Sequence, residues 1–330
     1  MKNKSALFCI GSPLQAICAL EALKYYNFQN YQFKVINDGA RLMQIENFLN
    51  CHKIKYEVVP LHPNKLLCVL RILLLLIPFR RKYDYLVLGD FRLIGYRILY
   101  LPLLNKYSNI IYLDDGNYII DLVSGKLQFS MFNAIRLKLI KYYTCFWKIK
   151  DNILFTFFAD DIESIDSKFT IVKNDMSYLH SKVQGTSCDV YVIGTNPIGE
   201  GGYCQDVGLE YSTYLDKIST FLEKVKKTSK GRVYYIPHGR DKTHDIRVIC
   251  NRLDISYVRP SMCIESYIIS LDMAPGLIYG FGSTSLYLLR FLCPNILITN
   301  ITFKTHNKYK TVYDTIASLY EKKGINNIMI

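Results

Sequence analysis

The stretch Val233-Tyr234-Tyr235-Ile236-Pro237-His238-Gly239-Arg240-Asp241 decides how the rest of the chain is read. Val, Tyr, Tyr and Ile suit a buried strand, and Pro237 cannot extend a ladder, so the strand stops there. His238, Gly239 and Arg240 then arrive together at the strand tip. Arg supplies a permanent charge and His a titratable proton, so the pair can meet a phosphate. Further along, Ile278-Tyr279-Gly280-Phe281-Gly282-Ser283-Thr284-Ser285-Leu286 repeats the plan: apolar strand, glycine turn, hydroxyls, then a helix-like run. Two strand ends with phosphate-friendly groups in one half of the chain suggest a bound nucleotide.

Working outward, the pattern of β-prone runs and helically spaced apolar residues alternates along the chain. Strands are expected at 6–10, 33–36, 56–60, 85–88 and 110–113, with helices at 14–27, 43–51, 66–79 and 96–104 between them. The middle is less regular, with a helix expected at 129–143 and strands at 153–158 and 169–172. The polar, Gly-containing segment 182–189 reads as a linker. After it, strands at 190–194, 233–236, 255–258, 277–279 and 295–298 alternate with helices at 211–227, 245–253, 264–271, 285–291 and 311–323. Such alternation implies parallel α/β sheets. Two halves, 1–185 and 186–330, each Rossmann-like and facing a central cleft, are the expected architecture; the last helix is free to pack back on the first half.

Bulk composition narrows the class. Of 330 residues, half are apolar and about a fifth charged, a globular balance long enough for two domains. The net charge of +13 favours anionic partners, whether nucleic acid, membrane surface or acidic substrate. A nucleic-acid-binding protein is the non-enzymatic alternative, but the charges are dispersed and form no basic stripe or known binding module. None of the ten Cys has C-x-x-C spacing, no Cys/His set has zinc-ligand spacing, and many Cys sit in apolar strings. Reduced thiols and a cytoplasmic protein are expected. The N-terminus mimics a signal peptide, but Gly11-Ser12-Pro13-Leu14-Gln15 interrupts a short apolar run and no cleavage site follows. The apolar run at 66–79 is shorter than the roughly 20 residues a span needs. With Arg80, Arg81 and Lys82 behind it, the segment 66–82 reads either as peripheral attachment at a membrane face or as a buried helix with a solvated turn.

Several loops carry candidate chemistry. Ser12 and Gln15 lie where the first strand turns into the first helix; Ser12 is a helix cap there, or part of a polar site at the helix N-terminus. Asp114-Asp115-Gly116 places paired carboxylates after a strand, where repulsion can raise one pKa toward that of a general base, or where Asp and Gly make a turn. Gly194-Thr195-Asn196-Pro197-Ile198-Gly199-Glu200 opens the second half with a loop that a substrate can approach closely, its carboxylate facing the cleft, or with a flexible surface loop. Ser283, Thr284 and Ser285 cap the next helix or hold a phosphate with the same geometry. Glu265 suits a helix start and could also accept from ribose hydroxyls.

Taken together, these residues resemble the bacterial lipooligosaccharide sialyltransferases of glycosyltransferase family 52, with similarity to bacterial polysialyltransferases. The likeness spans most of the chain on short motifs. Ser12-Pro13-Leu14-Gln15 resembles the N-terminal motif, Asp114-Asp115-Gly116 the acid–acid–Gly motif, and Gly194 to Glu200 the loop with the catalytic carboxylate. Pro237-His238-Gly239-Arg240 resembles a Pro-His-Pro-Arg segment, with Gly239 in place of the second proline. Pro260 with Ile264-Glu265-Ser266-Tyr267-Ile268 resembles the Pro…Ile-Glu-x-Tyr-Ile helix, and Gly282-Ser283-Thr284-Ser285 the phosphate loop. The carboxylate of the 194–200 loop sits later than in the family's best-known members.

The resemblance implies a GT-B fold, with the acceptor held mainly by the first half and CMP-sialic acid by the second. Transfer would be inverting, with Glu200 as base and Asp114 or Asp115 as the alternative. His238, protonated, would donate to the leaving phosphate. Arg240 and the 283–285 loop would stabilise the departing charge, with Ser12, Gln15, Gly194, Asn196, Pro237, Gly239, Glu265 and Gly282 lining the substrate sites. No cofactor is expected. A metal is chemically dispensable, because the sialic acid carboxylate stabilises the cationic centre and the leaving phosphate monoester carries modest charge. Another GT-B transferase, using a different nucleotide sugar or a polyol phosphate, is the alternative enzyme. The acceptor is expected to be a bacterial surface glycan and could be lipid-linked, which would place the enzyme at the inner face of the cytoplasmic membrane; a homodimer is compatible with all of this. Replacing Arg80, Arg81 and Lys82 by Ser should weaken sedimentation with anionic liposomes, and unchanged co-sedimentation would remove 66–82 as an attachment site.

Overall fold

The computed structural model describes residues 4–37, 39, 41–60, 83–89, 104–114, 152–161, 169–179, 185–199, 202–304 and 310–330. The chain divides into two compact units, Met1–Leu179 and His180–Ile330. The expected helices at 66–79 and 129–143, most of the one at 96–104, and Arg80, Arg81, Lys82, Asp115, Gly116 and Glu200 lie outside the described residues.

The first unit holds β1 (Ser5–Ile10), β2 (Asn30–Asn37), β3 (Tyr56–Pro60), β4 (Tyr83–Leu88), β5 (Leu104–Tyr112), β6 (Asn152–Thr156) and β7 (Thr170–Lys173), with α1 (Pro13–Tyr25) after β1 and α2 (Leu42–Cys51) after β2. The strands pair in the order β3-β2-β1-β4-β5-β6-β7, and every neighbouring pair is parallel. Strand β1 is buried along its whole length, as expected for a strand covered on both faces. Phe8 and Phe33 are register partners on β1 and β2, and their rings stack with centroids 4.3 Å apart. Sequence reading began the strand at 110 too late. Leu104 opens β5, so the last residue of the expected 96–104 helix is extended.

The second unit holds β8 (Val190–Ile193), β9 (Val233–Ile236), β10 (Ser256–Tyr257), β11 (Leu277–Gly280), β12 (Leu297–Thr302) and β13 (Asn326–Met329). Its helices are α3 (Tyr203–Val207), α4 (Tyr211–Thr228), α5 (Asp245–Arg252), α6 (Ile264–Ile269), α7 (Thr284–Leu292) and α8 (Lys310–Lys322). The sheet order is β10-β9-β8-β11-β12-β13, again parallel. The tyrosines have a structural use here. Tyr191 stacks on its register partner Tyr234 at 4.6 Å, and Tyr235 on Tyr257 at 6.0 Å. Cross-strand aromatic pairs of this kind contribute up to about 1 kcal/mol each.

Three elements of this unit differ from the sequence expectation. The strand expected at 295–298 runs instead from Leu297 to Thr302, because Pro294 and Asn295 belong to the turn that follows α7. The edge strand β13 and the five-residue α3 were not expected. Two asparagines open β13, which hides its strand character, and α3 is shorter than any periodic signal. The described part of the expected linker joins the second unit, where Thr186 bridges Ala274 and Arg232 N–H donates to Asp189 Oδ1 at 2.9 Å. Among the described residues no helix is long and apolar enough to cross a membrane.

A buried carboxylate fastens the last described residues of the first unit. Glu21, on α1, accepts from Leu179 N–H at 2.8 Å and Tyr178 N–H at 3.2 Å. Burial raises its pKa, against the pull of those two hydrogen bonds. The folded protein thus binds this proton more tightly than the unfolded chain does. The resulting stabilisation is complete below the ordinary carboxylate pKa and is lost as pH rises through the raised folded value. Glu21→Gln cannot titrate, so urea unfolding between about pH 4 and pH 7 should show a flatter decline of stability than the wild type. Parallel curves for the two proteins would mean that Glu21 titrates alike folded and unfolded.

Candidate functional site

Ligands of open parallel sheets bind beyond the carboxyl ends of the strands, where the strand order reverses. In the second unit this point falls between β8 and β11, since the chain leaves β8 for β9 on one side and returns to β11 on the other. The loops after β9, β8 and β11 carry His238 and Arg240, Gly194 and Asn196, and Gly282 to Ser285. Residues chosen from sequence alone are thereby brought to three adjacent strand ends.

The loop after β9 is a tight turn. Asp241 N–H donates to His238 O at 2.9 Å, and Arg240 N–H donates to His238 Nδ1 at 3.2 Å. With Nδ1 used as an acceptor, the neutral ring carries its proton on Nε2. The imidazole can therefore offer a donor at Nε2 without first becoming a cation. Pro237 is buried and His238 half-buried, while Gly239 and Arg240 are exposed. The Arg240 guanidinium makes no hydrogen bond or ion pair among the described residues.

The loop after β8 packs on that turn's strand. Gly194 N–H donates to Ile236 O at 2.8 Å. A Cβ at 194 would lie 2.2 Å from the Tyr235 hydroxyl, so only glycine fits there. Asn196 is buried, and its carbonyl receives Tyr203 N–H at 2.7 Å, which starts α3.

Three separate supports fix the loop after β11. Asn300, buried in the middle of β12, accepts from Gly282 N–H at 2.7 Å and donates to Asn327 Oδ1 at 2.8 Å. The Tyr320 hydroxyl, on α8, donates to Ser283 O at 2.7 Å, so the last helix is anchored within the second unit. Ser283 is the N-cap of α7, its Oγ accepting from Ser285 N–H at 3.3 Å. Ser285 Oγ in turn donates to Glu265 Oε1 at 2.6 Å. Glu265 is only 5% exposed, and burial raises its pKa although the Ser285 bond opposes the shift. Sequence reading had nominated Ser285 and Glu265 separately and had not paired them. It missed Asn300, Asn327 and Tyr320 altogether; the one available signal was an asparagine inside the apolar strand 297–302.

The first unit reverses its strand order between β1 and β4. Ser12 caps α1, accepting from Gln15 N–H at 3.3 Å, and Pro13 fills the first helical turn. Gln15 is buried, and its Oε1 accepts from Gly11 N–H at 2.7 Å. Gly89, just past β4, is the other wall: a Cβ there would fall 2.2 Å from the same oxygen. The Gln15 carboxamide therefore sits between the ends of β1 and β4. Asp114, at the end of β5, is 0% exposed. It accepts from Thr156 Oγ1 at 2.6 Å and from Phe157 N–H at 3.0 Å, and Thr156 Oγ1 accepts from Phe158 N–H at 3.0 Å. Its observed role is to bind the end of β5 to the turn after β6.

Among the described residues no three His, Cys, Asp or Glu side chains meet as a metal-ligand group. A cavity of about 1160 Å³ opens between α4 and β13, lined by Lys217, Lys224, Tyr279, Thr299 and Asn326 among others. Of the site and support residues described above, its lining includes Asn327, the partner of Asn300, and neither His238, Arg240 nor the 282–285 loop.

No described protein family matches the sequence, and no curated protein matches it. Solved structures do. A 2,6-sialyltransferase from a Photobacterium species of the Vibrionaceae, in a ternary complex with CMP and lactose, is similar with a TM-score of 0.58 at 13% identity, over 99% of this chain and 78% of that one. The GT-B domain of a sialyltransferase from Photobacterium damselae gives 0.52 at 14% identity, over 99% and 100%. A UDP-N-acetylglucosamine 2-epimerase from Listeria monocytogenes gives 0.54 at 11% identity, over 94% and 82%. At these identities the likeness is one of fold: two parallel-sheet α/β domains of the GT-B kind, shared by transferases and epimerases of nucleotide sugars.

Thr156→Val tests the role of Asp114. It deletes one donor to the carboxylate, and an unsatisfied buried acceptor costs about 1–3 kcal/mol. Urea unfolding should show a loss of that size; a change below about 0.5 kcal/mol would mean that Asp114 finds another donor.

Proposed function

We propose that this chain is an inverting sialyltransferase that moves sialic acid from CMP-sialic acid to a terminal sugar, galactose, of a bacterial surface glycan such as an O-antigen, capsule or lipooligosaccharide. The observation that carries the reading is the presence, at three adjacent strand ends of one GT-B unit, of an Nε2–H donor, an uncommitted guanidinium and a serine-capped helix N-terminus, with the buried Glu265 of α6 hydrogen-bonded to Ser285 of that helix. That set fits a nucleoside monophosphate: two groups and a helix start for the phosphate, and Glu265 for ribose hydroxyls.

The chemistry follows from these positions. A base removes the proton from the acceptor hydroxyl as its oxygen bonds to the anomeric carbon. The bond from that carbon to the phosphate oxygen breaks, and its electron pair leaves with CMP. His238 Nε2–H donates to the phosphate, while Arg240 and the N–H groups at the start of α7 stabilise the growing negative charge. Glu200 is the assigned base. Within the alternative acid pair both oxygens of the buried Asp114 already accept hydrogen bonds, so Asp115 is the alternative that we carry forward. The donor alternative is another nucleotide-activated sugar or a polyol phosphate, which the epimerase likeness keeps in view.

The decisive measurement is turnover of CMP-sialic acid with a panel of galactosides, read by mass spectrometry of the products. His238→Ala should lower kcat/KM by about 10²–10⁴ with the melting temperature retained. Equal or faster turnover of CDP- or UDP-linked donors would overturn the donor assignment.

A further inference from the structure

Beyond the residues that would meet a nucleotide, the turn after β9 is fastened from behind by two side chains that no motif singled out. Asp241 is 2% exposed. Its Oδ1 accepts from both Thr243 N–H and Thr243 Oγ1 at 2.8 Å. Its backbone N–H closes the turn onto His238 O, and its backbone carbonyl accepts from Arg259 Nη2 at 2.7 Å. Arg259 stands just beyond β10, so the clamp spans the ends of β9 and β10. The other carboxylate oxygen, Oδ2, has no hydrogen-bond partner among the described residues. Leaving a carboxylate oxygen so poorly served is costly, and such groups persist where the surrounding geometry is used.

We propose that Asp241 and Arg259 are positioning residues for His238, holding the 238–241 turn so that Arg240 N–H meets Nδ1 and the imidazole stays in its Nε2–H tautomer. The chain of contacts is short and each link is directional. Arg259 pulls on the Asp241 carbonyl, Thr243 fixes the Asp241 side chain, and Asp241 N–H fixes the His238 carbonyl. The orientation of the Arg240 amide is then determined, and with it the ring nitrogen that bears the proton. Both residues act through the backbone of the turn rather than on a substrate, so neither is called catalytic. Tyr235 and Tyr214 pack beneath the same turn. Burial pushes both phenols up, and the Asp241 charge adds to this in each, so both remain neutral hydroxyls beside the carboxylate. Further charged or titratable neighbours of the turn among the described residues include Lys242 and His244 along the chain, Tyr257 beside Arg259, Cys250 beside Tyr235, and Tyr211, which donates from its Oη to Asp245 Oδ2 at 2.8 Å.

The functional half of this inference rests on the nucleotide reading above; the geometric half does not, and the experiment separates them. The full chain is labelled with ¹⁵N-histidine, and the His238 ring signals are assigned by their loss in His238→Gln. At a pH where the ring is neutral, the wild type should show a pyridine-type Nδ1 and a pyrrole-type Nε2. Arg259→Met alters an exposed side chain and should fold normally, yet its two ring signals should move toward the tautomer average. Asp241→Ala should do the same, while Asp241→Asn, which keeps an oxygen for Thr243, should retain the wild-type pattern. CMP affinity by calorimetry should fall about tenfold in Arg259→Met, the scale of one charge-assisted hydrogen bond. A wild-type ring pattern in Arg259→Met, or loss of the pattern in Asp241→Asn as complete as in Asp241→Ala, would overturn the clamp. Should Asp241→Ala not fold, Arg259→Met decides alone. Absence of CMP binding by the wild type would remove the nucleotide reading while leaving the tautomer result to stand or fall by itself.

Discussion

Everything of interest in this protein follows from a constraint on parallel sheets: each strand must be re-entered from the same end, so every return leaves a loop beyond the carboxyl termini. Where the winding reverses, two neighbouring loops turn away from each other and leave a gap. In the second unit the gap lies between β8 and β11. The chain spends its glycines and hydroxyls there because a ligand can approach the backbone most closely at that point. The same residues placed at the amino ends of the strands would be ordinary turns.

Rigidity at such a gap has to come from elsewhere in the fold. The loop after β11 buries Phe281 among Tyr203, Tyr214 and Phe303, and its polar end is fixed by directional bonds from β12, β13 and α8 through Asn300, Asn327 and Tyr320. Asn300 is nearly inaccessible to solvent. A buried amide is tolerable only when its donors and acceptors are used, and here its oxygen serves Gly282 while its nitrogen serves Asn327. The edge strand β13 therefore matters to a loop two strands away. The turn after β9 is served in the same way, by Thr243 and Arg259, so both loops draw their order from polar groups behind them.

Much of this architecture was legible from the sequence. Runs such as 190–193 and 233–236 are buried almost throughout, so their apolar character is continuous and their ends are marked by Gly194 and by Pro237. The candidate groups at 194–196, 238–240 and 282–285 could be placed for the same reason: each follows a strand directly. What escaped reading was pairing in space. Ser285 with Glu265, Gly282 with Asn300 and Asp241 with Arg259 are each separated by about one strand–helix repeat, and no local pattern announces them. The acid pair shows the other limit. Asp114 and Asp115 look equivalent as letters, but the strand end turns Asp114 inward, where Thr156 and the Phe157 amide occupy it. Alternation of strand residues predicts that adjacent side chains point apart; it does not say which one is buried.

The two units share a winding plan, yet their crevices are not equivalent. In the first, the Gln15 carboxamide is lodged between the ends of β1 and β4, held by the Gly11 amide and faced by Gly89, which has no side chain to displace it. In the second, the corresponding strand end begins with Gly194, and the facing loop presents a serine cap. A shared winding plan has thus been made lopsided by a single stopper. A group entering the first crevice therefore meets a side-chain amide where the second presents bare backbone, so the two pleated floors cannot accept the same shape.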